Sequence, residues 1–324
     1  MTDRPRRETE THERSGGEDL SPEVRRSLES MVSLQAEIPE DAFTSQTLGV
    51  KRAGSGVAID DDGLVLTIGY LVTEAETVWL TTQSGRLVPA HPLALDPESG
   101  FALVQALDRL GLPGVALGNS GEARRGDPVV IAAGGRRPAV SATIAAKREF
   151  AGYWEYLLDE AIFTAPAHPF WGGAGLFGAD GRLLGVGSLH IEGTNEEGET
   201  QDVNMIVPID LLSPALHQLR TKGRLDKPAR PWLGVYSGES DGRVVVAGVA
   251  DRSPAEAAGL RRGDIVIAVG ETGIASLADF YRGVWARGSA GVEIPVEVVR
   301  DGRSLWLRVR SAERAAHFKR PRLH

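Results

Sequence analysis

The sequence contains no cysteine among its 324 residues. Disulfides, thiolate nucleophiles and Cys-ligated zinc sites are therefore excluded. An excess of basic residues is also missing, because 36 Lys and Arg against 44 Asp and Glu leave a formal net charge of -8. A nucleic-acid-binding protein would need a basic face to displace the counterions of phosphates. The composition therefore argues against nucleic acid as a partner.

Long apolar runs are absent as well. No stretch approaches the roughly 20 apolar residues that cross a bilayer, so we expect no membrane span. The first twenty residues, MTDRPRRETETHERSGGEDL, lack the apolar core of a signal peptide. The sequence as written therefore predicts a cytoplasmic protein. A periplasmic location is the alternative if the true start of the gene product lies further upstream.

What is present is the composition of a globular protein. Hydrophobic residues make up 42% and charged residues 25% of the chain, close to soluble averages, and the length suits two domains. Residues 1–28 are highly charged and predict a flexible N-terminal tail. From Gly54 onward, turn dipeptides such as Asp62-Gly63 separate short apolar runs such as Leu64–Leu66. This pattern predicts a pair of β-barrels over residues 29–212.

The last third of the chain follows a different pattern. Leucines share one helical face between Asp210 and Arg220, and Pro228 and Pro231 follow, which predicts a linker helix and hinge over residues 213–229.

A second domain is predicted over residues 230–312, followed by a C-terminal tail over residues 313–324. Val244–Val249 is typical of a strand. Ser253-Pro254-Ala255-Glu256 is a capping box that begins a short helix, and a second helix begins at Ser276. Strands and helices in these proportions indicate a small α+β domain.

Several motifs occur in an order that resembles the HtrA/DegP family. In the first domain they are Gly54-Ser55-Gly56-Val57-Ala58-Ile59, Asp62-Gly63-Leu64-Val65-Leu66-Thr67, Leu117-Gly118-Asn119-Ser120 and Gly126-Asp127-Pro128-Val129. In the second domain they are Trp232-Leu233-Gly234-Val235, Ser253-Pro254-Ala255, Ala258-Gly259-Leu260, Gly263-Asp264 and Arg300-Asp301-Gly302. The resemblance implies a mainly β fold: a trypsin-like double β-barrel followed by a small α+β PDZ domain. It also implies a place in protein quality control.

The resemblance assigns the three catalytic positions to residues that lack the required chemistry. The family histidine falls on Tyr70, the aspartate on Gly100 and the serine on Gly172. A phenol with a pKa near ~10 keeps its proton at neutral pH and does not replace a base poised near 7. Glycine provides neither carboxylate nor hydroxyl. The resemblance therefore implies a pseudoprotease with a degenerate triad.

Replacement groups elsewhere in the sequence are weaker candidates. Asp96 and Glu98 belong to the turn before the strand. His168 or His190 as a replacement base, and Ser188 as a relocated nucleophile, would have to lie within hydrogen-bond reach of each other and of a carboxylate. His190 with Glu192 gives too few ligands for zinc. Gly173–Gly178 matches G-x-G-x-x-G but runs into an Asp-Gly hairpin where a dinucleotide site needs a helix. We therefore expect no cofactor and no metal.

Two binding regions remain. By resemblance, the PDZ domain binds a peptide terminal carboxylate with the backbone of one loop and the peptide strand with a sheet edge. The residues assigned to this groove are Arg230, Trp232, Leu233, Gly234, Val235, Phe280 and Val284. Trp154 and Trp171 lie close to the missing nucleophile in sequence and are candidates for a remodelled protease cleft that grips a peptide.

The leading hypothesis is a non-catalytic HtrA-like protein that binds peptide C-termini or unfolded segments as a scaffold, chaperone-like binder or regulator. The alternative is an active serine endopeptidase of the HtrA type. The resemblance also implies either a homo-oligomer, which in this family is often a trimer, or a hetero-oligomer with an active homologue.

Overall fold

The computed structural model describes residues 20–194 and 198–319. Most of the predicted N-terminal tail, residues 1–19, lies outside the described residues. Its last part was assigned incorrectly, because Pro22–Leu28 forms helix α1. Ser21 caps this helix by accepting a hydrogen bond from Val24 N (3.2 Å), and proline occupies its first turn.

The first domain begins with a closed six-stranded barrel in the order β1-β2-β3-β6-β5-β4. Its elements are β1 Met31–Glu37, α2 Ser45–Leu48, β2 Lys51–Ala58, β3 Leu64–Ile68, a 3₁₀ helix Gly69–Leu71, β4 Thr77–Thr81, β5 Leu87–Leu95 and β6 Phe101–Ala106. The chain turns between β2 and β3 at Gly63, which has a positive φ of 84° and follows Asp62. Closure leaves no unpaired sheet edge.

A second closed barrel follows in the order β10-β11-β12-β9-β8-β7. Its strands are β7 Pro128–Ala132, β8 Val140–Gly152, β9 Tyr156–Ala165, β10 Gly175–Phe177, β11 Leu183–Thr194 and β12 Thr200–Pro208. One hydrophobic cluster contains buried residues of both barrels, among them Phe101 and Phe177. The two barrels therefore fold around a shared core.

Strands β8 and β9 form a long hairpin. Its pairing continues out to Gly152 opposite Tyr156. The three residues at its tip, Tyr153, Trp154 and Glu155, reach the second domain, as described below. Glu155 has a positive φ of 58°, a backbone conformation that residues other than glycine seldom adopt.

The linker contains a 3₁₀ helix, Ile209–Leu211, and helix α3, Leu216–Lys222. Helix α3 ends at Gly223, whose φ of 69° lets its N–H turn back to Leu219 O (3.0 Å).

The second domain is a six-stranded sheet in the order β13-β14-β15-β17-β18, with β16 paired to β15. Its elements are β13 Val235–Ser240, β14 Arg243–Val249, α4 Pro254–Ala257, β15 Ile265–Val269, β16 Thr272–Gly273, α5 Leu277–Trp285, β17 Glu293–Arg300 and β18 Arg303–Arg310. Ser253 and Ser276 cap the two helices through their side chains, as their sequence contexts predict. The mainly β fold, a double barrel followed by a small α+β domain, is confirmed.

The residues after β18 return to the first barrel. Arg314–His317 forms a 3₁₀ helix, and the rings of Phe318 and Phe43 lie 6.3 Å apart. Lys319 N donates to the buried Glu74 carboxylate (2.6 Å). Residues 313–319 of the predicted C-terminal tail therefore pack against the body of the protein.

Candidate functional sites in the cleft and the PDZ groove

The fold brings the three predicted catalytic positions together. Tyr70 lies in the 3₁₀ helix after β3, Gly100 immediately precedes β6, and Gly172 lies in the loop before β10. Strands β3 and β6 are paired, and Gly69 N donates to Gly100 O (2.7 Å). A Cβ atom added to Gly172 would lie 2.7 Å from Tyr70 Oη. A side chain at position 172 would therefore face the side chain at position 70, as a nucleophile must face a base.

The Tyr70 hydroxyl is a hydrogen-bond donor in this arrangement. It donates to Ser188 O at 3.0 Å. Burial raises the pKa of Tyr70 above its ordinary value, and a hydrogen bond with Trp171 only partly opposes this shift. The phenol therefore keeps its proton at neutral pH, which is the opposite of what a general base does.

The place of a triad carboxylate is taken by the ring of Tyr156. A Cβ atom added to Gly100 would lie 3.1 Å from Tyr156 Oη, and the glycine has a φ of +82°. Tyr156 Oη donates to Ser99 O (2.5 Å). Burial, and secondarily the charge of Asp96, raise the pKa of Tyr156, so this hydroxyl also stays protonated.

The neighbouring acids already have partners. Asp96 accepts a hydrogen bond from Ser99 Oγ (2.6 Å) and closes the turn before β6. Glu98 pairs with Lys227 of the linker (2.9 Å) and with Arg230 at the start of the second domain (2.8 Å). Both carboxylates are therefore already engaged with other groups.

The loop that would carry the nucleophile uses its backbone donors internally. In a serine protease, the N–H two residues before the nucleophile contributes to the oxyanion hole. Here the corresponding N–H, that of Phe170, donates to His168 Nδ1 (3.0 Å). His168 itself is buried, and its Nε2 lies 3.1 Å from Pro138 O. His168 therefore shapes the loop.

The remaining candidate groups do not converge. His190 pairs with Asp202 on the adjacent strand (Nε2 to Oδ1, 3.3 Å). Ser188 is 3% exposed, and its carbonyl accepts the Tyr70 hydrogen bond. Within residues 20–194 and 198–319, no three His, Cys, Asp or Glu side chains are grouped so that they could hold a metal ion.

A cavity of about 360 Å³ is lined by Tyr70 and Gly100, and by Trp171, the residue before Gly172. Both tryptophans that the sequence proposed for a remodelled cleft line it. The ring of Trp154 stacks on Tyr156, with centroids 5.4 Å apart and planes at 14°, and Trp171 contacts His190 edge-on at 5.2 Å. The other aromatic residues that line it come from both domains and are Phe43, Tyr70, Tyr153, Tyr236 and Phe318.

The predicted carboxylate-binding loop of the second domain is occupied by Glu155. The N–H of Leu233 donates to Glu155 Oε2 (2.9 Å), and the N–H groups of Gly234 (2.7 Å) and Val235 (3.0 Å) donate to Oε1. The carboxylate is buried. Gly234 adopts a φ of +83°, and a Cβ there would lie 2.2 Å from that of Ser253. Glycine is therefore required for this loop conformation.

Burial raises the pKa of Glu155, and this outweighs the three backbone donors and the nearby Arg314, which lower it. Conversely, burial lowers the pKa of Arg314, and the charge of Glu155 opposes that shift. The carboxyl and the guanidinium therefore partly compensate each other's desolvation.

The other predicted groove residues have varied surroundings. Phe280 and Val284 are buried in the core of the second domain, which includes Leu157 from the hairpin. Arg230 pairs with Glu98 and lies 4.5 Å from the centroid of the Trp285 ring.

Trp232 packs edge-on against Phe43 (5.9 Å), and its backbone pairs with Ala312. Tyr281, which contacts the hairpin tip, was not among the residues assigned to the groove from the sequence. Its position on the apolar stripe of α5, next to Phe280, together with its polar hydroxyl, was the available signal.

Comparison with known proteins agrees with this architecture. The trypsin-like peptidase domain family matches residues 54–186, and the PDZ domain family matches residues 231–310. A probable periplasmic serine endoprotease, DegP-like, from Pseudomonas fluorescens is 27% identical over 264 residues, which is 77% of this chain and 54% of that protein. The serine endoprotease DegS from Salmonella typhimurium is 24% identical and covers 88% of this chain and 83% of its own. The chain combines a trypsin-like peptidase domain with a PDZ domain and is similar to HtrA/DegP-like proteins.

Solved structures share the fold of this HtrA-like protein. The HtrA-type protease AlgW with a decapeptide superposes with a TM-score of 0.54 at 21% identity, covering 93% of this chain and 98% of its own. A serine endoprotease from Yersinia pestis gives a TM-score of 0.52 at 22% identity, with 90% and 96% coverage. The HtrA-like chain spans a little over half the length of the DegP-like relatives it matches.

The comparisons correct the expected location. Relatives from Pseudomonas fluorescens, Pseudomonas fulva and Pseudomonas putida are named periplasmic endoproteases, so the cytoplasmic prediction was wrong. Within the described part of the chain, no helix has the length and apolar character needed to cross a membrane.

Proposed function

We propose that this HtrA-like protein is a non-catalytic binder of peptide C-termini or unfolded segments, with a scaffolding, chaperone-like or regulatory role. The observation that carries the proposal is the pair at the cleft. Position 172 has no side chain, and Tyr70 opposite it donates a hydrogen bond to Ser188 O (3.0 Å). An enzyme stripped of its triad retains only about 10³ to 10⁴ over the rate in water. A peptide-binding groove does not need the catalytic side chains, because it holds its ligand through backbone groups and apolar surface.

An active serine endopeptidase is the second candidate. The relatives favour it, since the proteins from Pseudomonas fluorescens and Salmonella typhimurium are both named serine endoproteases. The residues at the three catalytic positions, Tyr70, Gly100 and Gly172, favour the first candidate.

Hydrolysis of fluorescent casein by the purified full chain separates the two candidates. We expect the wild-type chain and Ser188→Ala to release fluorescence at the same background rate, because no nucleophile faces a base. The triple variant Tyr70→His, Gly100→Asp, Gly172→Ser serves as the comparison, and an active relative is the positive control.

We expect little activity from this triple variant. A side chain at position 100 meets Tyr156 Oη at 3.1 Å and requires a φ of +82°. Robust wild-type cleavage that a serine-directed inhibitor abolishes would establish the endopeptidase and refute the non-catalytic function.

Assembly is part of the same proposal. A homotrimer, or a hetero-oligomer with an active homologue, fits a regulatory role. Light scattering on the purified chain distinguishes a trimer from a monomer, and co-purification with an active protease would support the hetero-oligomer.

A further inference from the structure

The occupied carboxylate loop is the central observation. Three successive backbone N–H groups, from Leu233 to Val235, converge on one carboxylate at 2.7 to 3.0 Å. Backbone N–H groups arranged in this way are how a PDZ domain captures the terminal carboxylate of a peptide. In this chain the carboxylate comes from a side chain of the first domain, 78 to 80 residues earlier in sequence.

The contacts continue along the groove beyond the carboxylate. Ser237 N, on the edge strand β13, donates to Tyr153 O (2.9 Å), which is the type of bond that an added peptide strand makes. On the opposite side, Tyr281 of helix α5 donates through Oη to Gly152 O (2.7 Å). Tyr281 Oη also accepts from Glu155 N (3.2 Å). The hairpin tip is therefore held from both walls of the groove.

The hairpin also contributes apolar contact. Leu157 is 8% exposed and belongs to the hydrophobic core of the second domain together with Phe280 and Val284. A peptide ligand fixed by its carboxylate and by one strand edge gains specificity from such side-chain pockets.

We propose that the tip of the β8–β9 hairpin is an internal ligand of the PDZ domain, with the Glu155 side chain in the place of a peptide terminal carboxylate. The occupant is the segment Gly152–Leu157 of this same chain. A peptide with a free C-terminus binds only when it displaces this segment. The inference rests on the proposed function, because it assumes that this groove serves peptide C-termini.

Some of the contacts between the hairpin and the second domain are exposed ion pairs. Arg282 of α5 pairs with Asp159 (2.6 Å) and with Glu149 on the two strands of the hairpin, and all three side chains are exposed. Exposed ion pairs of this type contribute little to stability, because water and salt screen them. The positive φ of Glu155 also costs free energy in the docked state. These features favour a hairpin tip that occupies the groove and can be displaced from it.

The test uses three variants of the full chain. Glu155→Gly removes the carboxylate and relieves the positive φ, since glycine adopts that conformation readily. Glu155→Gln keeps the shape of the side chain but replaces one acceptor oxygen with an amide nitrogen, which cannot accept a hydrogen bond from the loop. Glu160→Gln is the matched control, because Glu160 lies on the same hairpin and pairs only locally with Lys147 (2.9 Å).

Two readouts are needed. The first is hydrogen–deuterium exchange of the amides of residues 232–238. The second is fluorescence anisotropy with a pool of labelled octapeptides that have randomised last residues and a free carboxylate, compared with the same pool ending in a carboxamide.

We expect the amides of Leu233, Gly234 and Val235 to exchange at least about tenfold faster in Glu155→Gly than in wild type or Glu160→Gln, with Glu155→Gln intermediate. The apparent Kd for the acid pool should fall by about tenfold or more in Glu155→Gly, with no gain for the amide pool.

The inference is overturned if exchange is the same in Glu155→Gly and wild type, or if wild type binds the acid pool as tightly as Glu155→Gly does. If exchange rises but no variant prefers the acid pool to the amide pool, the internal ligand is supported and the proposed capture of C-termini fails.

Discussion

At the scale of single residues, Tyr70 and Gly172 are complementary in size. The glycine leaves room for the phenol, and an added Cβ would lie 2.7 Å from its oxygen. Either position alone is therefore constrained by the other. A serine at position 172, with the tyrosine unchanged, forces atoms together in a packed site.

This complementarity predicts a coupling between the two positions. Gly172→Ser alone should lower the free energy of unfolding by about 1–3 kcal/mol, the usual cost of overpacking. The double variant Tyr70→His, Gly172→Ser should recover much of this loss, because imidazole lacks the offending hydroxyl. Urea denaturation of wild type, both single variants and the double variant completes the cycle. Additive effects of the two substitutions would contradict the packing described for the cleft.

Glu155 gives the PDZ groove a predicted pH dependence. The groups that face its carboxyl are Arg314, Tyr236 and Tyr281, together with the three backbone donors. Burial raises the pKa of Glu155 in the docked state, whereas a hairpin tip exposed to water would titrate near the usual ~4.3. The docked state binds the proton more tightly, so acid favours docking.

Peptide affinity should therefore rise with pH, beginning near ~4.3 and levelling off once docked Glu155 has ionised. Peptide terminal carboxylates titrate near ~3.5 and are already charged over this range. Anisotropy titrations from pH 4 to 8 with the acid pool measure the effect. Glu155→Gln should show a flat profile, and a wild-type slope retained in that variant would assign the titration to another group.

At the scale of elements, the β8–β9 hairpin serves two sites with consecutive residues. Trp154 faces the cleft and stacks on Tyr156, whereas Glu155 faces the PDZ loop. A hairpin that is well paired as far as Gly152 and Tyr156 can hold both side chains in fixed directions. The same element therefore contributes to the lining of the cavity and to the occupancy of the groove.

The cleft tryptophans are expected to bind unfolded chains. Trp154→Ala and Trp171→Ala should each weaken binding of carboxymethylated casein by about tenfold or more, since buried aromatic anchors dominate interfaces. Trp306→Ala is the control, because Trp306 is 55% exposed on the second domain. Surface plasmon resonance with immobilised casein gives the affinities. If both cleft variants bind as wild type does, the cleft is not a binding site.

At the scale of the whole molecule, the sequence predicted the fold well and the groove only in part. Ordered motifs and hairpin dipeptides indicated both domains, because such turns are local. The return of Phe318 and Lys319 to the first barrel depends on contacts with Phe43 and Glu74 far away in sequence, and no local pattern encodes it.

The role of Glu155 was missed for the same reason. Its partners, Leu233 to Val235, are 78 to 80 residues distant. An acid among aromatic residues has no periodic signature. Positions 70, 100 and 172 could be assigned from the sequence, because each lies in a short segment that resembles a family motif.

The PDZ domain is attached to the barrels on both sides of its sequence. Before it, Lys227 and Arg230 pair with Glu98; after it, Phe318 and Lys319 pack on Phe43 and Glu74. A domain tethered at both ends does not swing away as a unit to release the hairpin. The groove is then freed by withdrawal of the hairpin tip, and the frequency of that withdrawal sets an upper limit on how fast any peptide associates, however concentrated the peptide is.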